Sequence, residues 1–153
     1  MKARKVVALA VALVLVLLAA RFLFWNDQRD VRRRIAAIAA AVPTDGGGAG
    51  LAAFMTDDVI LKTDTATFIG GKPAVQKFVR DGTALLGPMN PKVDDMQVEI
   101  VDRSTATVFF TLTISGARPG SGPAPRQVHV MMKKLDGAWL VSRAEVLRTL
   151  EGQ

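Results

Sequence analysis

The clearest pattern of apolar and polar positions lies between Thr105 and Ser115. Ala106, Val108, Phe110, Leu112 and Ile114 alternate with Thr105, Thr107, Phe109, Thr111, Thr113 and Ser115. An apolar residue at every second position marks a strand with one face on a core. The opposite face carries mostly hydroxyls and suits water or a second subunit. The same period recurs on both sides of this stretch. Met96, Val98 and Ile100 alternate with Asp95, Gln97 and Glu99, and Val128, Val130 and Met132 alternate with His129, Met131 and Lys133. Asp102-Arg103-Ser104 makes a tight connection, and Arg118 to Arg126, rich in Pro and Gly, predicts an exposed hairpin loop. Asp136-Gly137 is a strong hairpin dipeptide, and Trp139 to Leu147 follows it as the last strand.

Upstream the period lengthens to that of helices. Val31, Ile35, Ile38 and Val42 form one stripe, which predicts a helix capped by Asn26 or Asp27 and ended by the loop Pro43 to Gly48. Leu51 to Met55 is expected to be a short second helix with Leu51, Phe54 and Met55 facing inward. Short strands are expected at Val59 to Lys62 and at Ala66 to Ile69. Pro73 suits the first turn of a third helix. Its stripe is Val75, Phe78, Val79, Leu85 and Leu86, and it stops at Gly87-Pro88. Two helices, two short strands, a helix and four long antiparallel strands make an α+β domain, in which a curved sheet wraps helices on its apolar face.

The first 25 residues follow neither period. Val6 to Ala20 is an unbroken apolar run behind Lys2, Arg4 and Lys5, and Phe22 to Trp25 resumes it after Arg21. As a helix, Val6 to Trp25 spans roughly 30 Å, the thickness of a hydrocarbon core. Arg21 can snorkel and Trp25 suits the interface. Leu18-Ala19-Ala20 is a poor cleavage site, so an uncleaved signal-anchor is preferred to a removed signal peptide. The expected organisation is an anchor over residues 1–25 and a domain over residues 26–150. Basic residues flank the span on both sides, so the charge rule conflicts with itself. A single-pass protein of the inner membrane with an exported, periplasmic domain is the preferred orientation. The arginine cluster at Arg29 and Arg32 to Arg34 either rests on anionic headgroups or forms a solvated helix face.

Charge alters the picture only by its placement. The net +6 comes from residues 1–34, and from Ile35 onward 12 basic residues balance 12 acidic ones. A nucleic-acid-binding surface on the domain is therefore not expected. There is no cysteine and one histidine, which excludes disulfides, thiol nucleophiles and Cys/His zinc sites.

Three stretches carry a family resemblance. They are Thr56-Asp57-Asp58-Val59, then Phe68-Ile69-Gly70-Gly71-Lys72-Pro73-Ala74-Val75-Gln76-Lys77-Phe78, then Lys134-Leu135-Asp136-Gly137-Ala138-Trp139-Leu140-Val141. Over about Asn26 to Leu147 the chain resembles the nuclear-transport-factor-2-like superfamily, which includes ketosteroid isomerases and SnoaL-like polyketide cyclases. Among these it looks most like membrane-anchored bacterial members. The resemblance implies a cone-shaped sheet around three helices, here preceded by one transmembrane helix.

The resemblance also supplies tests for chemistry. Family isomerases use a carboxylate base on the first short strand, and the matching position here is Thr63. A hydroxyl cannot serve as that base near neutral pH, and the chain has no tyrosine for an oxyanion donor. Hydrolase-like members use an Asp-Arg-Asp set, but Asp64, Arg143 and Glu99 share no recognisable spacing. His129 is the chain's one histidine, the side chain best suited to acid–base work near neutral pH, but it has no evident partner. It faces outward if the Val128, Val130 and Met132 face is interior, and lines a pocket with Met131 and Lys133 if the strand is flipped. Asp57-Asp58 and Asp94-Asp95 lack calcium-loop spacing, and Gly46 to Gly48 lacks the Lys-Ser/Thr of a phosphate loop. No catalytic, cofactor or metal set is expected.

The candidate ligand pocket is Phe54, Phe78, Val108, Phe110, Leu112, Val130 and Met132, which can equally form a closed core. Asp64 and His129 are its weak polar candidates. The expected function is a membrane-tethered, non-catalytic module that binds a hydrophobic small ligand or a partner protein, with residues 6–25 in the membrane. The alternative is an isomerase-, hydrolase- or cyclase-type enzyme acting on a hydrophobic small molecule. Phe109 among threonines also suggests a homodimer through the outer sheet face.

Overall fold

The computed structural model describes residues 2–45, 49–87, 89–116 and 124–147. The elements are α1 (Lys2–Asp45), α2 (Ala49–Ala52), β1 (Met55–Lys62), β2 (Phe68–Gly70), α3 (Lys72–Leu86), β3 (Met89–Ile100), β4 (Thr105–Gly116), β5 (Ala124–Leu135) and β6 (Ala138–Leu147). One six-stranded sheet has the order β2-β1-β6-β5-β4-β3. All neighbours are antiparallel except β1 and β6, which run parallel. This is the expected α+β arrangement, with the sheet curved around the second half of α1, α2 and α3.

The alternation in β4 sets the faces. Val108 pairs with Val98 and Val130, and Ala106 pairs with Ile100 and Met132, so these share the concave side. Val31 and Ile35 of α1, Leu51 of α2, Val59 of β1 and Val75 of α3 close over them as a buried core. Met132, Val31, Val59 and Val108 are fully enclosed. Each such side chain contributes about 1.5–3 kcal/mol relative to leaving it in water. His129 pairs with Phe109 and Glu145 on the convex side, so the unflipped orientation of β5 holds.

Two bulges retune the alternation. In β3 the register shifts between Asp94 and Gln97, where Asp95 takes a φ of 54°. In β6 the register shifts so that Met132 faces Val141 while Met131 faces Arg143. The bulge at Ser142 therefore keeps Val141 in the core and turns Arg143 and Glu145 outward. The β5–β6 turn places Asp136 at φ 50° and Gly137 at φ 80°, as an Asp-Gly hairpin turn requires.

Several boundaries differ from the sequence expectation. Asn26 and Asp27 do not cap a helix, because α1 runs without a break from Lys2 to Asp45. No Gly or Pro occurs between the apolar segment and Pro43, so nothing stops the helix there. Pro43 to Asp45, expected in a loop, complete α1, while Gly46 to Gly48 lie outside the described residues. The short helix ends at Ala52, Phe54 sits in a turn, and Met55 already begins β1. Ala66, with φ 62°, belongs to the turn before β2. Pro125 and Arg126 lie in β5, whereas residues 118–123 of the expected loop, like Pro88, lie outside the described residues.

Candidate functional site

The seven predicted pocket residues do not share one environment. Val108, Val130 and Met132 are sealed in the core, at 0, 4 and 0% exposure. Phe110 and Leu112, further along β4, are half-buried against the core, as are Ile38, Val42, Val79 and Val93, the last paired with Leu112. Phe78 is an exposed residue of α3, although Val75 and Val79 beside it turn inward. Phe54 lies under the Arg34 guanidinium, whose carbon is 4.6 Å from the ring centroid. The concave face thus has a closed inner part and a half-buried apolar margin towards the Gly116 end of β4.

Arg34 is a residue that sequence reasoning assigned only to a basic cluster. Its Nε donates to Trp139 O at 3.0 Å and its Nη2 to Ala53 O at 3.2 Å. It therefore ties α1 to both the α2–β1 turn and β6. The partners are 105 and 19 residues away, so local pattern gives no signal of them. Trp139 is buried, and its Nε1–H has no acceptor among the described residues.

The titratable candidates lie outside the core. Asp64 is in the β1–β2 turn, with its Oδ2 3.8 Å from Nε of Arg126. Thr63, at the position of the family's base, is occupied by the same turn. Its N–H donates to Thr67 O at 3.0 Å, and its hydroxyl is 2.9 Å from that of Thr65. Glu99 pairs with Thr107 and Arg143 with Met131, which puts both on the convex side. Asp64, Arg143 and Glu99 are not brought together. Among the described residues, no three His, Asp or Glu side chains converge as metal ligands.

The convex side has its own cluster. The rings of Phe109 and His129 stack at 4.2 Å between centroids and 4° between planes. Nε2 of His129 is buried and has no hydrogen-bond partner among the described residues. Lys62 forms an ion pair with Glu145 across the β1–β6 step. The Lys62 hydrogen bond lowers the Glu145 carboxyl below its usual value, and the charges of Lys62, Arg143 and His129 add to this against a desolvation cost. Phe109 and Met131 stay exposed, and Phe109 lines a hollow of about 300 Å³ with Asp95, Gln97, Thr111 and Gln127.

No protein-family model matches the sequence, and no curated protein matches it either. Solved structures do match. An NTF2-like protein with a cystatin-like fold from Novosphingobium aromaticivorans superposes with TM-score 0.74 at 18% identity, covering 89% of this chain and 90% of that one. An NTF2-like protein of unknown function from Pseudomonas putida gives 0.71 at 17% identity, covering 84 and 90%. A candidate scytalone dehydratase from Novosphingobium aromaticivorans gives 0.73 at 16% identity, covering 85 and 89%. The chain has the NTF2-like fold. Identities this low establish the fold and carry no activity with it.

Proposed function

We propose that the chain is a membrane-tethered, non-catalytic module of NTF2-like fold that takes up a hydrophobic small molecule at the half-buried margin of its concave face. The observation that carries this is a separation of chemistry. Phe110, Leu112, Ile38, Val42 and Val79 are half-buried apolar residues against the core, while Asp64, Glu99, Arg143, Glu145 and His129 lie in a turn or on the convex side. An apolar concavity with few polar groups suits binding better than proton transfer, which needs a base within reach of substrate.

Residues 6–25 are the anchor in this reading. The helix is long and apolar enough to cross a membrane, and none of its most apolar window is buried against the rest of the chain. The inner membrane, with residues 26–150 on its outer side, is the proposed placement.

The test is extraction of the full-length protein, purified from its native membrane, followed by mass spectrometry of bound apolar compounds. One compound near equimolar amount, lost in Leu112→Gln, is the expected result. Protein that carries none, in both wild type and variant, overturns the reading. The alternative, an enzyme acting on a hydrophobic small molecule, would show itself as an altered compound released on incubation.

A second copy is the proposed partner on the convex face. Phe109 on β4, Met131 on the adjoining β5 and Ile60 on β1, across β6, support it, each at least 36% exposed on this face.

A further inference from the structure

The unbroken helix fixes which end of the sheet faces the membrane. Gln28 Nε2 donates to Val98 O at 3.4 Å, and Arg32 Nη1 to Met96 O at 2.9 Å. Four residues of helix advance about 6 Å and two residues of strand about 6.6 Å, so α1 runs along the free edge of β3 in the opposite direction. Continuing β3 from Val98 to Val101 adds about 10 Å, which corresponds to six or seven residues back along α1. The β3–β4 turn thereby comes level with Arg21 and Phe22, where the last turn of the apolar segment begins. The β5–β6 turn lies at the same end. Lys134 bonds Asp27 at 2.7 Å, and its N–H donates to Ser104 O at 2.8 Å.

Both turn tips carry an apolar residue facing solvent, Val101 at 59% and Leu135 at 49% exposure. The β3–β4 turn is stiffened by Asp102, which accepts from Ser104 N–H at 2.7 Å and from its hydroxyl at 3.1 Å. Arg21, Arg29 and Arg33 lie on the stretch of α1 that runs beside this end, Arg103 is in the β3–β4 turn, and Lys133 is two residues before Leu135. Outside the Asp27–Lys134 pair, the acids at this end are Asp30, Glu99, Asp102, Asp136 and Asp58, which acts on Lys133, so the excess of positive charge is confined to α1, where Arg21, Arg29 and Arg33 stand against Asp30. Beside the β5–β6 turn, a hollow of about 390 Å³ is lined by Asp30, Arg33, Gly137 and Trp139.

We infer that the two hairpin tips, Val101–Ser104 and Leu135–Gly137, form a second membrane contact. Val101 and Leu135 enter the headgroup layer, and Arg29, Arg33 and Arg103 bind anionic lipid headgroups. The inference rests on residues 6–25 spanning the bilayer. One rigid helix and two inserted tips hold the domain at a fixed tilt, with the Gly116 end of β4 turned away from the membrane. Each basic side chain near an anionic surface adds attraction that salt screens away.

The chain has no cysteine, so single cysteines can report position without further changes. Full-length Val101→Cys, Leu135→Cys, Thr65→Cys and Val14→Cys, each with a polarity-sensitive fluorophore, are placed in nanodiscs of phosphatidylcholine with or without phosphatidylglycerol. Expected is blue-shifted emission at positions 101 and 135, quenched by shallow lipid-borne quenchers, and water-like emission at position 65. Phosphatidylglycerol should strengthen the quenching, and Arg29→Gln with Arg103→Gln should remove that gain. Deep quenching at position 14 with water-like signals at 101 and 135 overturns the contact and leaves the anchor standing. Water-like emission at position 14 overturns both. Quenching at 101 and 135 that is the same in the two lipids overturns the anionic headgroup as the ligand.

Discussion

Asp27 Oδ1 accepts a hydrogen bond from Lys134 Nζ at 2.7 Å, joining two residues 107 apart in the chain. The same ammonium lies 5.5 Å from the centroid of Trp139. A residue two positions past the apolar segment is thus fastened to the last hairpin, and α1 and the sheet become one body. Both side chains are more than two-thirds covered, so screening by water is incomplete. Lys134→Ala should cost about 1–3 kcal/mol, since it leaves a partly buried carboxylate without its partner. A double-mutant cycle with Asp27→Ala, read by urea denaturation, should return a coupling of about 0.5–1.5 kcal/mol. Additive single effects would mean the pair contributes nothing.

Arg34 is the second fastening, and its geometry predicts a sharp distinction. The guanidinium donates in two directions while its carbon sits 4.6 Å from the centre of the Phe54 ring. A lysine ammonium cannot match that fork or that stacking. Arg34→Ala should cost about 2–3 kcal/mol, from two charge-assisted bonds to carbonyls and the ring contact. Arg34→Lys should recover less than half of it. Full recovery in thermal denaturation would reduce Arg34 to a surface charge.

The two ends of the predicted pocket should respond differently. Met132 is fully enclosed, and Met132→Ala should destabilise by about 2–5 kcal/mol through lost burial and a cavity. Phe78 is 46% exposed, so Phe78→Ala should change stability by only about 0.5 kcal/mol. Urea midpoints of the two variants give the comparison directly.

Glu145 gives a pH dependence of fixed sign. Its carboxyl is held below the usual value of 4.5 by Lys62, so the unfolded chain binds more protons than the folded one in that region. The contribution is complete above the unfolded value and is lost as pH falls through the folded one. Between about pH 5.5 and pH 3, wild type should lose more of its denaturation midpoint than Glu145→Gln does. Parallel losses would show that other carboxylates account for acid sensitivity.

The strands and their faces were legible because Val108, Phe110, Val130 and Met132 obey a period that one residue of slip would invert. The pocket was less legible. Phe78 follows Val75 by three residues, and at the edge of a helical stripe only the neighbouring strands decide which way a ring turns. Arg34 on Phe54 and Asp27 on Lys134 are long-range contacts, and a stretch such as Asn26-Asp27 has cap chemistry whether or not a helix starts there. The outward turn of Arg143 and Glu145 depends on the bulge at Ser142, which alternation alone does not reveal.

The convex face yields the last prediction. Phe109 and Met131 are on adjacent strands, at 45 and 36% exposure, and Phe109 shields the His129 ring from one side. Thr107 and Thr111 flank Phe109 two residues away on the same face, so an apolar centre sits in a hydroxyl rim. That arrangement, an apolar centre with a polar border, is what a self-complementary twofold contact needs. Full-length protein in detergent should therefore show a dimer mass by light scattering. Met131→Lys places like charges near the twofold axis of such a contact and should give a monomer, while Phe78→Lys, away from the sheet, should leave the mass unchanged. A monomeric wild type would remove the dimer. A dimer insensitive to Met131→Lys would move the contact elsewhere, with the apolar span as the first place to look.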